Sequence, residues 1–182
     1  MEVTETDIPE VRILRPRVFG DARGYFMETW NRRGLAGRGL DRDFVQDNQS
    51  GSSRGVLRGL HYQIGQPQGK LVRVLSGEIF DVAVDLRRRS PTFGCWAGVT
   101  LSAESARQLW VPEGFAHGFL VLSERADIAY KCTDFYAPEQ ERTLRWDDET
   151  VGIRWPLAPG QVPQLSEKDA AGVPLEIAEV YQ

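Results

Sequence analysis

The sequence predicts an all-β fold, a sandwich or barrel of short strands edged by small helices. Runs rich in β-branched and aromatic residues recur at close intervals, among them VRIL, YFMETW, KLVRVL, EIFDVAVDL and ADIAYKC. Clusters such as GDARG, SPTFG, PEG and SER separate them as turns. Helical periodicity is almost absent, which leaves no helix-based architecture to account for the apolar pattern. A length of 182 residues suits one well-buried core, so 1–182 reads as a single domain. An N-terminal segment covers about 1–50, and an irregular or helical extension covers about 147–182.

In chain order, strands are expected at Val11 to Leu14 and Tyr25 to Trp30, after which Asn31 can cap a short helix through Leu35. Phe44 and Val45 give a brief strand, and the polar run that follows them is read as a loop. The stretch Arg54 to Leu75 reads as a hairpin, with Gly65, Pro67 and Gly69 as its turn. Glu78 to Leu86 carries apolar residues on both parities and reads as a strand buried on both faces, with Asp81 and Asp85 as its exceptions. Further strands fit Cys95 to Leu101, Arg107 to Val111, Gly118 to Leu122 and Ala126 to Cys132. From Asp147 onward prolines and Gly160 make the chain irregular until Ser166, which can cap a short C-terminal helix.

Composition excludes several function classes. At 41% hydrophobic and 26% charged the chain is ordinary for a globular protein, and its net charge of -4 argues against broad nucleic-acid binding. A local arginine cluster could still hold one anionic ligand. Cys95 and Cys132 form no metal or disulfide pattern. The acidic start MEVTETDIPE lacks the features of a secretion signal, and no apolar run is long enough to span a bilayer. A cytoplasmic protein without membrane association is expected.

The chemistry concentrates in RGVLRGLHYQIGQPQGKLVRVL, where His61 and Lys70 lie on two apolar runs that a hairpin would bring together. A neutral imidazole, with an ordinary pKa of about 6.5, can act as a base near neutral pH, and neighbouring cations help to keep it unprotonated. It needs a carboxylate to orient its second nitrogen, for which Asp81, Asp85, Asp127 and Asp169 are all candidates. Arg58 and His61 are three residues apart and would face opposite ways in a regular strand; a bulge at Gly59 would bring them to one side. Lys70 is one of three lysines against nineteen arginines, and a compact ammonium suits a developing oxyanion. Tyr130 can serve as a packed core tyrosine or as a proton donor, and Phe135 and Tyr136 can pack at a rim or stack on a planar base. His61 and His117 are the only histidines, too few for the closely spaced ligands of a metal-dependent β-barrel enzyme, so no metal is expected.

Taken together, VFGDARGYFMETW, FVQDNQS, GVLRGLHYQ, QGKLVRVLSGEIFDVAVDLRRRSPTFG, WVPEGFAHGFLVLS and LSEKD resemble the dTDP-4-dehydrorhamnose 3,5-epimerase family, from about Asp7 to Asp169. The resemblance implies a cupin-like double-stranded β-helix, or jelly roll, acting as a homodimer without metal or organic cofactor on a dTDP-sugar. It makes His61 the base, Asp169 its orienting partner, Lys70 the oxyanion stabiliser and Tyr130 the proton donor. It points to Arg23, Glu28, Gln46, Asn48 and Arg58 for the nucleotide, with Arg23 and Glu28 reaching across from the partner subunit and His117 assisting at the ketone. Phe26, Phe135 and Tyr136 are the aromatic candidates for thymine, and phenylalanine at 135 stands where the family often carries tyrosine. The alternatives are a mono-epimerase that inverts only C3 or only C5, a non-catalytic nucleotide-sugar-binding cupin, and a metal-dependent cupin oxygenase.

Overall fold

Two antiparallel sheets packed face to face form the body of the computed structural model, which describes residues 1–38 and 40–182. The strands are β1 (Glu2–Glu5), β2 (Arg12–Arg15), β3 (Val18–Asp21), β4 (Gly24–Met27), β5 (Gln46–Ser53), β6 (Leu57–Gln63) and β7 (Lys70–Ser76). They continue as β8 (Glu78–Asp85), β9 (Trp96–Ser102), β10 (Gln108–Val111), β11 (Phe115–Val121), β12 (Arg125–Cys132) and β13 (Glu141–Thr143). Two short helices, α1 (Arg32–Ala36) and α2 (Glu167–Ala170), lie at the periphery. One sheet has the order β1-β2-β10-β7-β12-β5, the other β13-β6-β11-β8-β9, and β3 and β4 pair as a separate ribbon.

The core follows from strand alternation. Val72 and Val74 from β7, Leu109 from β10 and Ile128 from β12 meet Ile79, Leu101, Phe115 and Phe119 between the layers. Each such side chain contributes about 1.5–3 kcal/mol when taken fully out of water. A second cluster forms on the other face of the five-stranded sheet, where Leu60, Tyr62, Val82 and Val84 are covered by Leu175, Ala178 and Val180 of the C-terminal segment. Burial on both faces explains why EIFDVAVD shows no alternation. Asn31 caps α1 by accepting from the Gly34 N–H, and Ser166 caps α2 in a reciprocal capping box with Asp169, both as expected.

Two expectations are corrected. The polar run after Val45 is not a loop: Gln46–Ser53 forms the edge strand β5, paired along its whole length with β12, and Phe44 and Val45 lie outside it. Its backbone satisfies the ladder while its half-buried side chains Gln46, Asn48 and Ser50 face a polar cavity, so no apolar signal is present to read. Nor is Arg54 to Leu75 a hairpin. β6 pairs with β11 and β13 in one sheet, and β7 pairs with β10 and β12 in the other, so 64–69 crosses between layers. The short strands β1 and β3 were also not visible as apolar runs.

Candidate active site

The cavity, of about 320 Å³, opens between the sheets and is lined by side chains from both. His61 enters it from β6. Opposite β6, the register of β11 shifts between His117 and Phe119, so three residues of β6 span two of β11. This is the bulge expected at Gly59, and it puts Arg58 and His61 on the same cavity. Gly59 has φ +128°, and an added Cβ would meet Gly118 Cα at 2.5 Å, so only glycine fits there.

Of the four candidate carboxylates, Asp169 is the one beside His61. The His61 Nε2–H donates to Asp169 Oδ1 at 2.7 Å, leaving Nδ1 as the free ring nitrogen. Asp169 also accepts from the Gly59 N–H at 3.1 Å and from the Ser166 hydroxyl at 2.6 Å. Burial opposes its ionisation, but these three hydrogen bonds prevail and hold it well below the usual carboxylate range. For His61 burial is the leading influence and pushes the imidazole below its ordinary value; the bond to Asp169 pulls the other way, and Lys168 and Lys70 add to the lowering. Asp85 is instead fixed by Arg87, Ser90 and Thr92, and Asp127 by Arg125 and Ser76.

A second histidine–aspartate pair faces the same space. His117 lies opposite His61 in the β6–β11 pairing, and its Nε2–H donates to Asp81 Oδ1 at 2.7 Å. Lys70, at the start of β7, is buried and directs Nζ towards the His61 carbonyl at 3.4 Å, so the two do come together, across the layers. Burial pushes its ammonium below the ordinary lysine value. Tyr130 reaches the cavity from β12, and burial raises its phenol above the ordinary value, which favours the protonated form.

Towards the mouth lie Gln46 and Asn48 from β5, Arg58, and Tyr136 from the loop after β12. Arg58 donates to the Ser52 hydroxyl at 3.0 Å, while Phe135 stands exposed beside Tyr136 and is not among the residues that line the cavity. Three more of the expected residues lie well away from it in the chain's own structure. Arg23 pairs with Asp21 on the β3–β4 ribbon, Phe26 is 70% exposed there, and Glu28 accepts from Asn31. Several lining residues were missed, among them Gln63, Gln68, Glu141 and Lys168. Lys168, adjacent to Asp169, pairs with Glu141 at 2.8 Å, and Glu141 also accepts from the Tyr136 hydroxyl. The LSEKD string already contained Lys168; Glu141 carried no signal until β13 placed it beside Gln63.

An imidazole with a fixed orientation, a buried ammonium and a protonated phenol around one cavity can remove a proton beside a carbonyl, hold the resulting oxyanion and return a proton. Among the described residues, no three His, Cys, Asp or Glu side chains cluster as a metal site would require, and no helix is long and apolar enough to cross a membrane.

Residues 5–176 match the family model described as dTDP-4-dehydrorhamnose 3,5-epimerase. The chain belongs to this family. Membership places it among the isomerases and agrees with the two-sheet, cupin-like fold. Among relatives of that name, the 3,5-epimerase of Pseudomonas aeruginosa is 57% identical over 182 residues, covering 100% of this chain and 99% of the relative. The one from Neisseria gonorrhoeae is 58% identical over 176 residues and 94% of this chain, which spans only 52% of that longer protein. A crystal structure of the dTDP-6-deoxy-D-glucose-3,5-epimerase of Legionella pneumophila Philadelphia 1, in complex with dTDP-4-keto-L-rhamnose, superimposes with a TM-score of 0.94. It is 53% identical, and the match covers 98% of this chain and 94% of that one.

Proposed function

We propose that the protein inverts C3 and C5 of dTDP-4-dehydro-6-deoxy-D-glucose to give dTDP-4-dehydro-L-rhamnose, in the biosynthesis of dTDP-L-rhamnose. The observation that carries this is the His61–Asp169 pair opening on a cavity shared with Lys70 and Tyr130, in a chain of this family.

Both carbons flank the C4 ketone, so one apparatus serves them in turn. His61 Nδ1 takes the proton from the carbon, the C–H electron pair moves into the ring, and the negative charge gathers on the C4 oxygen as an enolate. Lys70, with His117 beside it, stabilises that oxygen. Tyr130 then gives its proton to the carbon from the opposite face, which inverts the centre; proton exchange with water returns His61 to the neutral base and Tyr130 to the phenol before the second carbon is processed. The lowered His61 value keeps the base neutral near pH 7, and the raised Tyr130 value keeps the acid protonated. Asp169 holds the ring and offsets the positive charge that His61 gains. No metal or organic cofactor takes part in these steps.

Arg58 takes the diphosphate, Gln46 and Asn48 the nucleoside, and Tyr136 with Phe135 the thymine face. Arg23, Phe26 and Glu28 act on the active site of a second copy, in a homodimer. What supports the dimer is the β3–β4 ribbon, which leaves Val18 and Tyr25 exposed on one face and the cross-strand pair Phe19 and Phe26 exposed on the other. The expected setting is the cytoplasm.

The test is product analysis. After incubation with the keto sugar, proton NMR should give ring couplings for inversion at both C3 and C5. Inversion at one centre would make the protein a mono-epimerase, and binding without any inversion would reduce it to a nucleotide-sugar-binding module.

A further inference from the structure

The backbone of the loop that carries Phe135 and Tyr136 is held largely by glutamine side chains, while the Tyr136 hydroxyl is tethered to Glu141 at 2.9 Å. Gln68 donates to the Asp134 carbonyl at 2.8 Å, and Gln46 accepts from the Tyr136 N–H at 2.8 Å. Gln63 does the most: its amide nitrogen donates to the Phe135 carbonyl at 3.2 Å and to the Gln66 carbonyl at 2.7 Å, and its amide oxygen accepts from the Ala137 N–H at 2.9 Å. The loop's own residues add a short contact between Asp134 and the Phe135 N–H. Without these partners, four residues lying outside any strand would leave their backbone groups to water.

Gln63 is itself fixed. It is 3% exposed, so water scarcely competes for its amide. Its carbonyl accepts from the Tyr181 hydroxyl at 2.6 Å, and its backbone pairs with Glu141 of β13. It also lies two residues after His61 on the same strand, so β6 sets the base and the aromatic pair as one rigid element. Phe135 and Tyr136 are 59% and 51% exposed, and apart from the bond of the Tyr136 hydroxyl to Glu141 it is the loop backbone that sets where the two rings stand.

We infer that Gln63 is a positioning residue for nucleotide binding: by holding the Asp134–Ala137 loop it presets Phe135 and Tyr136 as a platform for the thymine base. The inference rests on the nucleotide-sugar reading above. A preset platform binds the base without first ordering a loop, so losing it weakens affinity and leaves the chemical step in place. Gln63 also borders the cavity, but its three side-chain hydrogen bonds all go to the backbone of Gln66, Phe135 and Ala137, so it acts through the loop.

Calorimetric titration with dTDP and with inorganic pyrophosphate separates the two halves of the ligand. In Gln63→Leu the dTDP dissociation constant should rise about tenfold, the scale of one base–aromatic stack. Pyrophosphate, which lacks the base, should bind within about twofold of wild type, and KM should rise with the dTDP constant while kcat falls less than about threefold. Gln63→Glu, which keeps the acceptor for Ala137 and loses the donor, should fall between the two. Unchanged dTDP affinity, or equal losses for dTDP and pyrophosphate, would overturn the inference. If Gln63→Leu does not fold, Gln68→Leu removes only the Asp134 tether and should weaken dTDP alone, by about threefold; no change there also overturns it. Failure of the wild type to bind dTDP would instead bring down the nucleotide reading itself.

Discussion

His61 and His117 stand opposite each other on neighbouring strands, and each gives Nε2–H to a carboxylate at 2.7 Å, yet their carboxylates are held in different ways. Asp169 hangs from α2 at the cavity rim and has further donors in Gly59 and Ser166. Asp81 sits in the middle of β8, fully buried, and its Oδ2 has no hydrogen-bond partner among the described residues. The rings differ too, with the His61 side chain 26% exposed and that of His117 8%. A carboxylate with several donors stays ionised as the ring beside it gains a proton, which a base requires in every cycle. The buried His117–Asp81 pair, with one donor to the carboxylate, holds its ring in a fixed orientation towards the cavity. On the proposed mechanism, the same two residue types serve as a base at one position and as an electrostatic support at the other.

The largest expected effect breaks the symmetry directly. His61→Ala should lower kcat on the order of 10⁴-fold, the upper range for a general base, while His117→Ala should lower it only about tenfold. Equal losses in steady-state assays would mean that the two pairs share the proton work. Next comes Asp169→Asn, with kcat down on the order of 10³-fold through loss of ring orientation and charge. Its pH profile carries a sign. Burial already puts the wild-type acidic limb below the ordinary imidazole value of about 6.5, and Asp169 pulls it upward, so removing the carboxylate should move the limb to lower pH. Asp81→Asn should leave that limb where it is.

Lys70 calibrates the comparison, because its ammonium is directed to the His61 carbonyl and bonds to neither carboxylate, although the Asp81 charge favours it. Lys70→Met should reduce kcat on the order of 10²-fold, as expected for one oxyanion stabiliser. Its lowered value should also place the wild-type alkaline limb below the ordinary lysine value of about 10.4, whereas the raised Tyr130 stays protonated through that range. An alkaline limb unchanged in Lys70→Met would assign it to another group. The smallest effect belongs to Ser166→Ala. Losing the cap and one donor to Asp169 should cost about 1 kcal/mol in denaturant unfolding and lower kcat a few-fold, with no counterpart at the strand-borne Asp81.

What could be read in the sequence divides along physical lines. Strands with apolar faces, such as β7, β8 and β12, were legible from residue type and period, and so were the caps at Asn31 and Ser166. β5 was not, because its ladder bonds are made by backbone and its inward side chains face a polar cavity. The closeness of His61 and Lys70 was legible, but the hairpin behind it was wrong, since strands that follow one another can turn into opposite sheets as readily as pair. The carboxylate beside His61 lies 108 residues away, and no local pattern selects it from four aspartates; the family resemblance did. Glu141 and Gln63 belong to the same class. Their importance comes from what tertiary pairing sets next to them.

The most direct test of the account is solvent exchange at the two sugar carbons, followed by proton NMR in deuterated water for the wild type, His61→Ala and His117→Ala. The account predicts loss of both the C3 and C5 proton signals with wild type, loss of both at a reduced rate with His117→Ala, and retention of both with His61→Ala. Exchange at either carbon persisting in His61→Ala would contradict it, because a base other than His61 would then serve that centre.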